Sequence, residues 1–105
     1  MLTKFGGKQI WVDLDWDNIT TDSIAAGTPI GADGLVHNDS QAIGILLKQC
    51  DRTYLCDGEI LIAGFIDETE RYAVSGVKLS SECRAALNIA FKVGGASIGN
   101  IAVAG

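Results

Sequence analysis

Residues 13 to 18 read DLDWDN, with aspartates at alternate positions, the pattern that opens a calcium-binding loop. Such a loop needs glycine at its sixth position and a bidentate glutamate at its twelfth. Counted from Asp13, those places hold Asn18 and Ile24, and no helical pattern precedes them. The carboxylates are therefore expected on a solvated strand face. Gly27, Gly31 and Gly34 raise a second possibility, a phosphate cradle. They match neither G-x-G-x-x-G nor a G-K-[ST] ending, and the segment runs into Val36 and an apolar strand instead of a helix N-terminus. Together with Pro29 and Asp33 they are read as a turn scaffold, since glycine and aspartate accept left-handed φ and proline presets its own. His37 is the single histidine. No strand–turn–helix nucleophile elbow surrounds any serine that it might activate. Cys50 and Cys56 with His37 lack the fourth ligand and the paired spacing of a zinc site. The sequence thus predicts no catalytic residue, no metal ligand and no cofactor.

The elements follow from periodicity. In KQIWVDLDWD, residues 8 to 17, Ile10, Val12, Leu14 and Trp16 share one face and Gln9, Trp11, Asp13, Asp15 and Asp17 the other, which predicts a half-buried strand. Residues 1 to 8 are expected as a flexible N-terminal arm hinged at Gly6-Gly7. Further strands are predicted over 42 to 48 and 59 to 66, with turns at Asp33-Gly34 and Asp57-Gly58. One segment argues for helix, near residues 81 to 90: Ser80 or Ser81 caps it, and Cys83, Ala86 and Leu87 recur at helical spacing. Residues 70 to 79 read as mixed, broken at Gly76, and residues 94 to 105 as a glycine-rich tail.

Composition bounds the partners. The chain has 105 residues, 48% hydrophobic and 20% charged, with 13 glycines and one proline, which suits a single, mainly β domain rich in tight turns. A formal net charge of −5, with no basic run, offers no counterion-release gain on nucleic acid, so none is expected as a partner. No apolar run reaches the roughly 18 residues of a membrane span, and the N-terminus lacks the apolar stretch of a signal peptide. Three cysteines without C-x-x-C spacing are expected to be free thiols, Cys83 packed as a small hydrophobe.

The order of features from 27 to 66 resembles the lambda-type head decoration (capsid-stabilising) proteins of tailed bacteriophages. The residues that carry the resemblance are Gly27-Thr28-Pro29, Ala42-Ile43-Gly44-Ile45-Leu46 and Gly64-Phe65-Ile66, with CRAALNIAF at 83 to 91 similar to that family's closing helix. The resemblance implies a small β-tulip, barrel-like fold that sits as a homotrimer on the outer surface of an expanded head. It also implies the major capsid protein as partner, an N-terminal arm that clamps neighbouring subunits, and no enzymatic activity. Such a protein is made in the host cytoplasm and ends on the virion. The strand at 8 to 17, unusually acidic and with two tryptophans, and the tail after Gly94 depart from that family's pattern.

On this reading the capsid contacts fall at the N-terminus. Leu2, Phe5, Ile10 and Trp11 are the apolar anchors, Gly6 and Gly7 the joint, and the arm docks by adding a strand to a neighbouring sheet. Two other classes fit the same composition: the base domain of a phage head fibre or tail component, and a small ligand-binding β barrel.

Overall fold

The computed structural model describes Leu2 and residues 4–92, with only the backbone given for Lys4 and Phe5. The expected tail at 94 to 105 lies outside the described residues. The fold is mainly β. In chain order the strands are β1 (Lys4–Val12), β2 (Ser23–Ile24), β3 (Pro29–Gly31), β4 (Ala42–Leu46), β5 (Cys50–Asp51), β6 (Gly58–Asp67) and β7 (Asn88–Lys92). A 3₁₀ turn spans Arg52–Tyr54, and helices α1 (Glu68–Ser75) and α2 (Ser81–Ala86) lie between β6 and β7.

The main sheet runs in the order β1-β6-β4-β3, and β7 joins β6 beyond the end of β4. One edge of β6 is antiparallel to β1 from Val12↔Gly58 to Lys4↔Ile66. The other edge is shared. Its first part pairs antiparallel with β4 (Leu46↔Ile60, Ile45↔Leu61), and its last part pairs parallel with β7, from Ala63↔Asn88 to Asp67↔Lys92. A second, two-stranded sheet joins β2 to β5. Among the described residues the sheets do not close, so the expected barrel-like closure is not found there.

Alternation divides the core. Ile60 and Leu46 face a cluster with Ile30, Leu14, Trp16, Ile19, Ile24 and Cys50, against which Ile10 and Val12 pack. Their neighbours Leu61, Ile45 and Leu47 face the opposite side, with Ile66, Leu79, Cys83, Leu87 and Ile89. The 14–30 segment thus covers one face and the helices the other. Each fully buried Ile or Leu contributes about 1.5–3 kcal/mol, so these two clusters dominate the stabilising side.

Three expectations are corrected. Residues 4 to 8 are not a free arm: β1 begins at Lys4, and Leu2 is buried with its N–H bonded to Leu47 O at 2.8 Å. Gly6 and Gly7, at φ 69° and 101°, form a bulge where the β1–β6 register shifts. A Cβ on Gly7 would stand 2.0 Å from Ala63 O and 2.8 Å from Gly64 Cα, so glycine is required by close approach and not by looseness. Second, β1 ends at Val12, where β6 begins opposite it at Gly58. Leu14 and Trp16 stay buried, but within a turn in which Asn18 and Ile19 donate to Asp15 O. Third, the helix expected near 81 to 90 stops at Ala86. Ser80 caps it as predicted, accepting from the Cys83 N–H at 3.1 Å. Leu87 then turns extended, because residues 88 to 92 satisfy the edge of β6 that β4 leaves open. Pairing outweighs the local helical spacing.

Helix α1 is not predicted by the sequence pattern. Asp67 caps it, its carboxylate accepting from Thr69 and Glu70 N–H, and Gly76 ends it in the left-handed conformation at φ 69°. Its one fully buried residue is charged. Arg71 places all five of its donors (Glu68 Oε1 2.6 Å, Glu68 Oε2 2.8 Å, Gly27 O 3.0 Å, Ser75 Oγ 3.2 Å, Val77 O 2.7 Å). Glu68 also accepts from Arg84 at 2.9 Å, so one carboxylate links both helices while Arg71 reaches the turn at Gly27. Removing one partner of such a buried network strands the other. Arg71→Ala is expected to cost about 3–5 kcal/mol in urea unfolding. Arg71→Lys should recover little of it, because an ammonium has three donors and no planar fork.

Candidate binding surface

The sequence-predicted contact residues separate in the structure. Leu2 is core, and Ile10 is half-buried against the first cluster, so neither is an outward anchor. The expectation for Phe5 concerns a side chain outside the described residues. Trp11 is 68% exposed, on the opposite face of β1 from Ile10 and Val12. Its strand is the terminal member of the sheet, and no described strand pairs with its outer edge. Strand addition acts at edges of this kind.

Trp11 also walls a pocket of about 190 Å³ with Lys48, Cys50, Cys56, Asp57 and Glu59. Across Asp57 a shallower groove is lined by Leu14, Asp15, Trp16 and Leu55. Tyr54 and Leu55, in the turn before β6, are 77% and 64% exposed. Sequence pattern did not single them out, though an aromatic and a leucine in a charged turn are a visible signal. This end of the molecule therefore combines exposed apolar side chains with Asp13, Asp15, Asp17, Asp57 and Glu59.

The loop behind this surface is firmly held. Arg52 donates to the carbonyls of Trp16 at 2.8 Å, of Thr21 at 2.9 Å and of Ile19, and its guanidinium lies over the Trp16 ring, 5.4 Å from the centroid. Trp16 in turn donates Nε1–H to Cys56 O at 3.1 Å. Gln9 donates to Glu59 across the β1–β6 pair. Asn18 donates to Asp15 at 2.7 Å, closing the acidic turn on itself.

The turn-scaffold residues divide between two neighbours, Gly27 against α1 and Gly34 against Asp13 and Asp15. Gly27 and Gly34 have φ of 93° and 79°, and a Cβ on Gly34 would lie 2.1 Å from Asp13 O. Pro29 opens β3, where its missing N–H costs little. Gly31 makes room for His37: a Cβ there would meet the ring at 2.3 Å. His37 Nε2 lies 2.8 Å from Asp33 Oδ2, and its Nδ1 lies 3.5 Å from Asp39 Oδ2. Asn38 then ties this loop to α2, accepting from Ser80 N–H at 2.8 Å and donating to Lys78 O at 2.9 Å. Among the described residues no three His, Cys, Asp or Glu side chains converge as a metal site, and no helix is long and apolar enough to cross a membrane.

Set against protein-family models, curated proteins and solved structures, the chain matches none.

The His37–Asp33 pair makes a pH prediction. Hydrogen bonding to Asp33 raises His37 above its ordinary value of 6.5, and the same bond lowers Asp33 below 3.8. A raised histidine contributes stability that is full below about 6.5 and lost as pH rises through its folded value. A lowered aspartate contributes stability that is full above about 3.8 and lost as pH falls. The stability gap between the native chain and His37→Ala should therefore be widest near pH 5 and narrower at pH 8 and at pH 3, read by urea midpoints. A gap flat with pH would show that the pair is not coupled.

Proposed function

We propose that this protein is a structural virion protein that binds the outer surface of a phage capsid and cements the head. The reading joins the resemblance at 27 to 66 to one structural observation: an exposed tryptophan on an edge strand whose outer side is open among the described residues. A cementing protein requires a rigid scaffold with apolar surface that loses exposure on docking. Trp11, Leu55 and Tyr54 supply that surface, and the double-sided core and the Arg52 clamp supply the rigidity.

In this account the docking element is a folded strand and not a loose arm. Ordering a disordered segment costs on the order of 1–2 kcal/mol per residue. Residues 4 to 12, already paired to β6, have met that cost on folding. A capsid segment that adds to the outer edge of β1 gains main-chain hydrogen bonds, while Trp11 provides the apolar anchor. The acidic residues around it favour a basic partner surface. Self-association as a trimer belongs to the same proposal and rests on the resemblance.

The test is binding to purified expanded heads. Trp11→Ala is expected to weaken binding about 30-fold or more, the scale of a 2 kcal/mol interface anchor. Tyr72→Ala, an exposed aromatic on α1 at the far end of β6, should bind as the native chain does. Equal affinity of native chain and Trp11→Ala would remove Trp11 from the contact, and absence of binding to any head would end the capsid reading. Light scattering of the free protein and of the saturated particle reads the trimer; a monomer in both states contradicts it.

A further inference from the structure

Cys50 opens β5 and Cys56 precedes β6, and the chain between them doubles back through the 3₁₀ turn. The reversal is made at Leu55, whose φ of 47° is the one positive value at a non-glycine among the described residues. It carries both thiols into the wall of the Trp11 pocket. Their contacts cross. Cys50 Sγ lies 3.5 Å from Asp57 O, the residue after Cys56, and Cys56 Sγ lies 3.8 Å from Asp51 O, the residue after Cys50. Each sulfur thus lies against the backbone that follows the other cysteine. The frame that holds them is fixed by Trp16 Nε1–H on Cys56 O and by Arg52 on the 16–21 carbonyls.

We infer that Cys50 and Cys56 are a closable dithiol: exchange with a small-molecule disulfide, of the oxidised-glutathione class, converts them to an intramolecular disulfide between β5 and the start of β6. Cys56 is half-exposed and Cys50 buried, so Cys56 reacts first. Its thiolate attacks one sulfur of R–S–S–R, the S–S bond breaks, and one R–S⁻ leaves and takes up the proton lost by Cys56. Cys50, as thiolate, then attacks the Cys56 sulfur of the mixed disulfide and expels the second R–S⁻, which takes up the proton of Cys50. Two protein thiols are oxidised by two electrons, and one small disulfide is reduced to two thiols. Burial raises the Cys50 thiol and still acts once Cys56 is in the mixed disulfide, so the second step is slow at neutral pH and quickens as pH rises. Cys83 takes no part: it is fully buried in the opposite cluster, and burial raises its thiol as well.

This inference is independent of the capsid reading, and its readout is chemical. The full native chain is incubated with oxidised glutathione at pH 7 to 9, quenched with acid, and examined by intact mass and peptide mapping. The expected product is two hydrogens lighter, carries a Cys50–Cys56 link, and retains one free thiol of the three, at Cys83. Closure should be faster at pH 9 than at pH 7, and Tm should rise on the order of 5 °C, because the bond restricts the unfolded chain. Cys50→Ser should stop at a glutathione adduct on Cys56, and Cys83→Ser should close as the native chain does. A native chain that halts at the Cys56 adduct, links two molecules through Cys56, or reacts only when unfolded in denaturant would overturn the inference.

Discussion

Every strand of the main sheet except β3 is bonded directly to β6, and the fold depends on how that strand divides its two edges. One edge is committed along its length to β1, while the other is split between β4 and β7. The split explains the unusual mixture of one parallel pair in an otherwise antiparallel sheet. A parallel neighbour needs a crossover connection, and α1 and α2 form it, covering the second core cluster as they cross. Glycines mark the places where strands come closest. Gly64, at φ 125°, meets the Gly6-Gly7 bulge, and a Cβ on Gly44 would lie 2.6 Å from Leu61 O.

Arg71 has a different kind of role, because its bonds run between elements and not along them. An isolated buried guanidinium would be prohibitively costly, and this one is tolerated because every donor has an acceptor. Three of those acceptors, in α1, the Gly27 turn and the segment after Gly76, are thereby fixed in relation to one another. Hydrophobic burial supplies most of the stabilisation, and this network gives the crossover a single position. On the other side of the sheet Arg52 has a comparable part, binding carbonyls of the 16–21 loop and stacking on Trp16.

The sequence made legible whatever was specified locally. Alternation located β4 and β6 to within two residues at each boundary, and the capping serine, Ser80, located the start of α2. The exposed placement of Trp11 also followed from its face of the strand. What remained hidden was set by distant partners. Gly6-Gly7 looks like a hinge until Gly64 is seen opposite it, and residues 88 to 90 look helical until the vacant edge of β6 is known. Helix α1 was obscured because its inward residue is an arginine, which hydrophobic periodicity counts as surface. Leu2 and Ile10 were misplaced as outward anchors for a related reason: apolar residues near a terminus read equally well as contact surface or as core.

The central claim is that the molecule docks through the open edge of β1 and the apolar surface around Trp11. Hydrogen–deuterium exchange on the protein bound to expanded heads tests it most directly, because edge addition acts on backbone amides. The account predicts that amides of β1 pointing away from β6, together with those of Tyr54 and Leu55, exchange more slowly on the particle than in the free protein. Protection confined to α1 or to the turn at 27 to 40, with β1 unchanged, would contradict it.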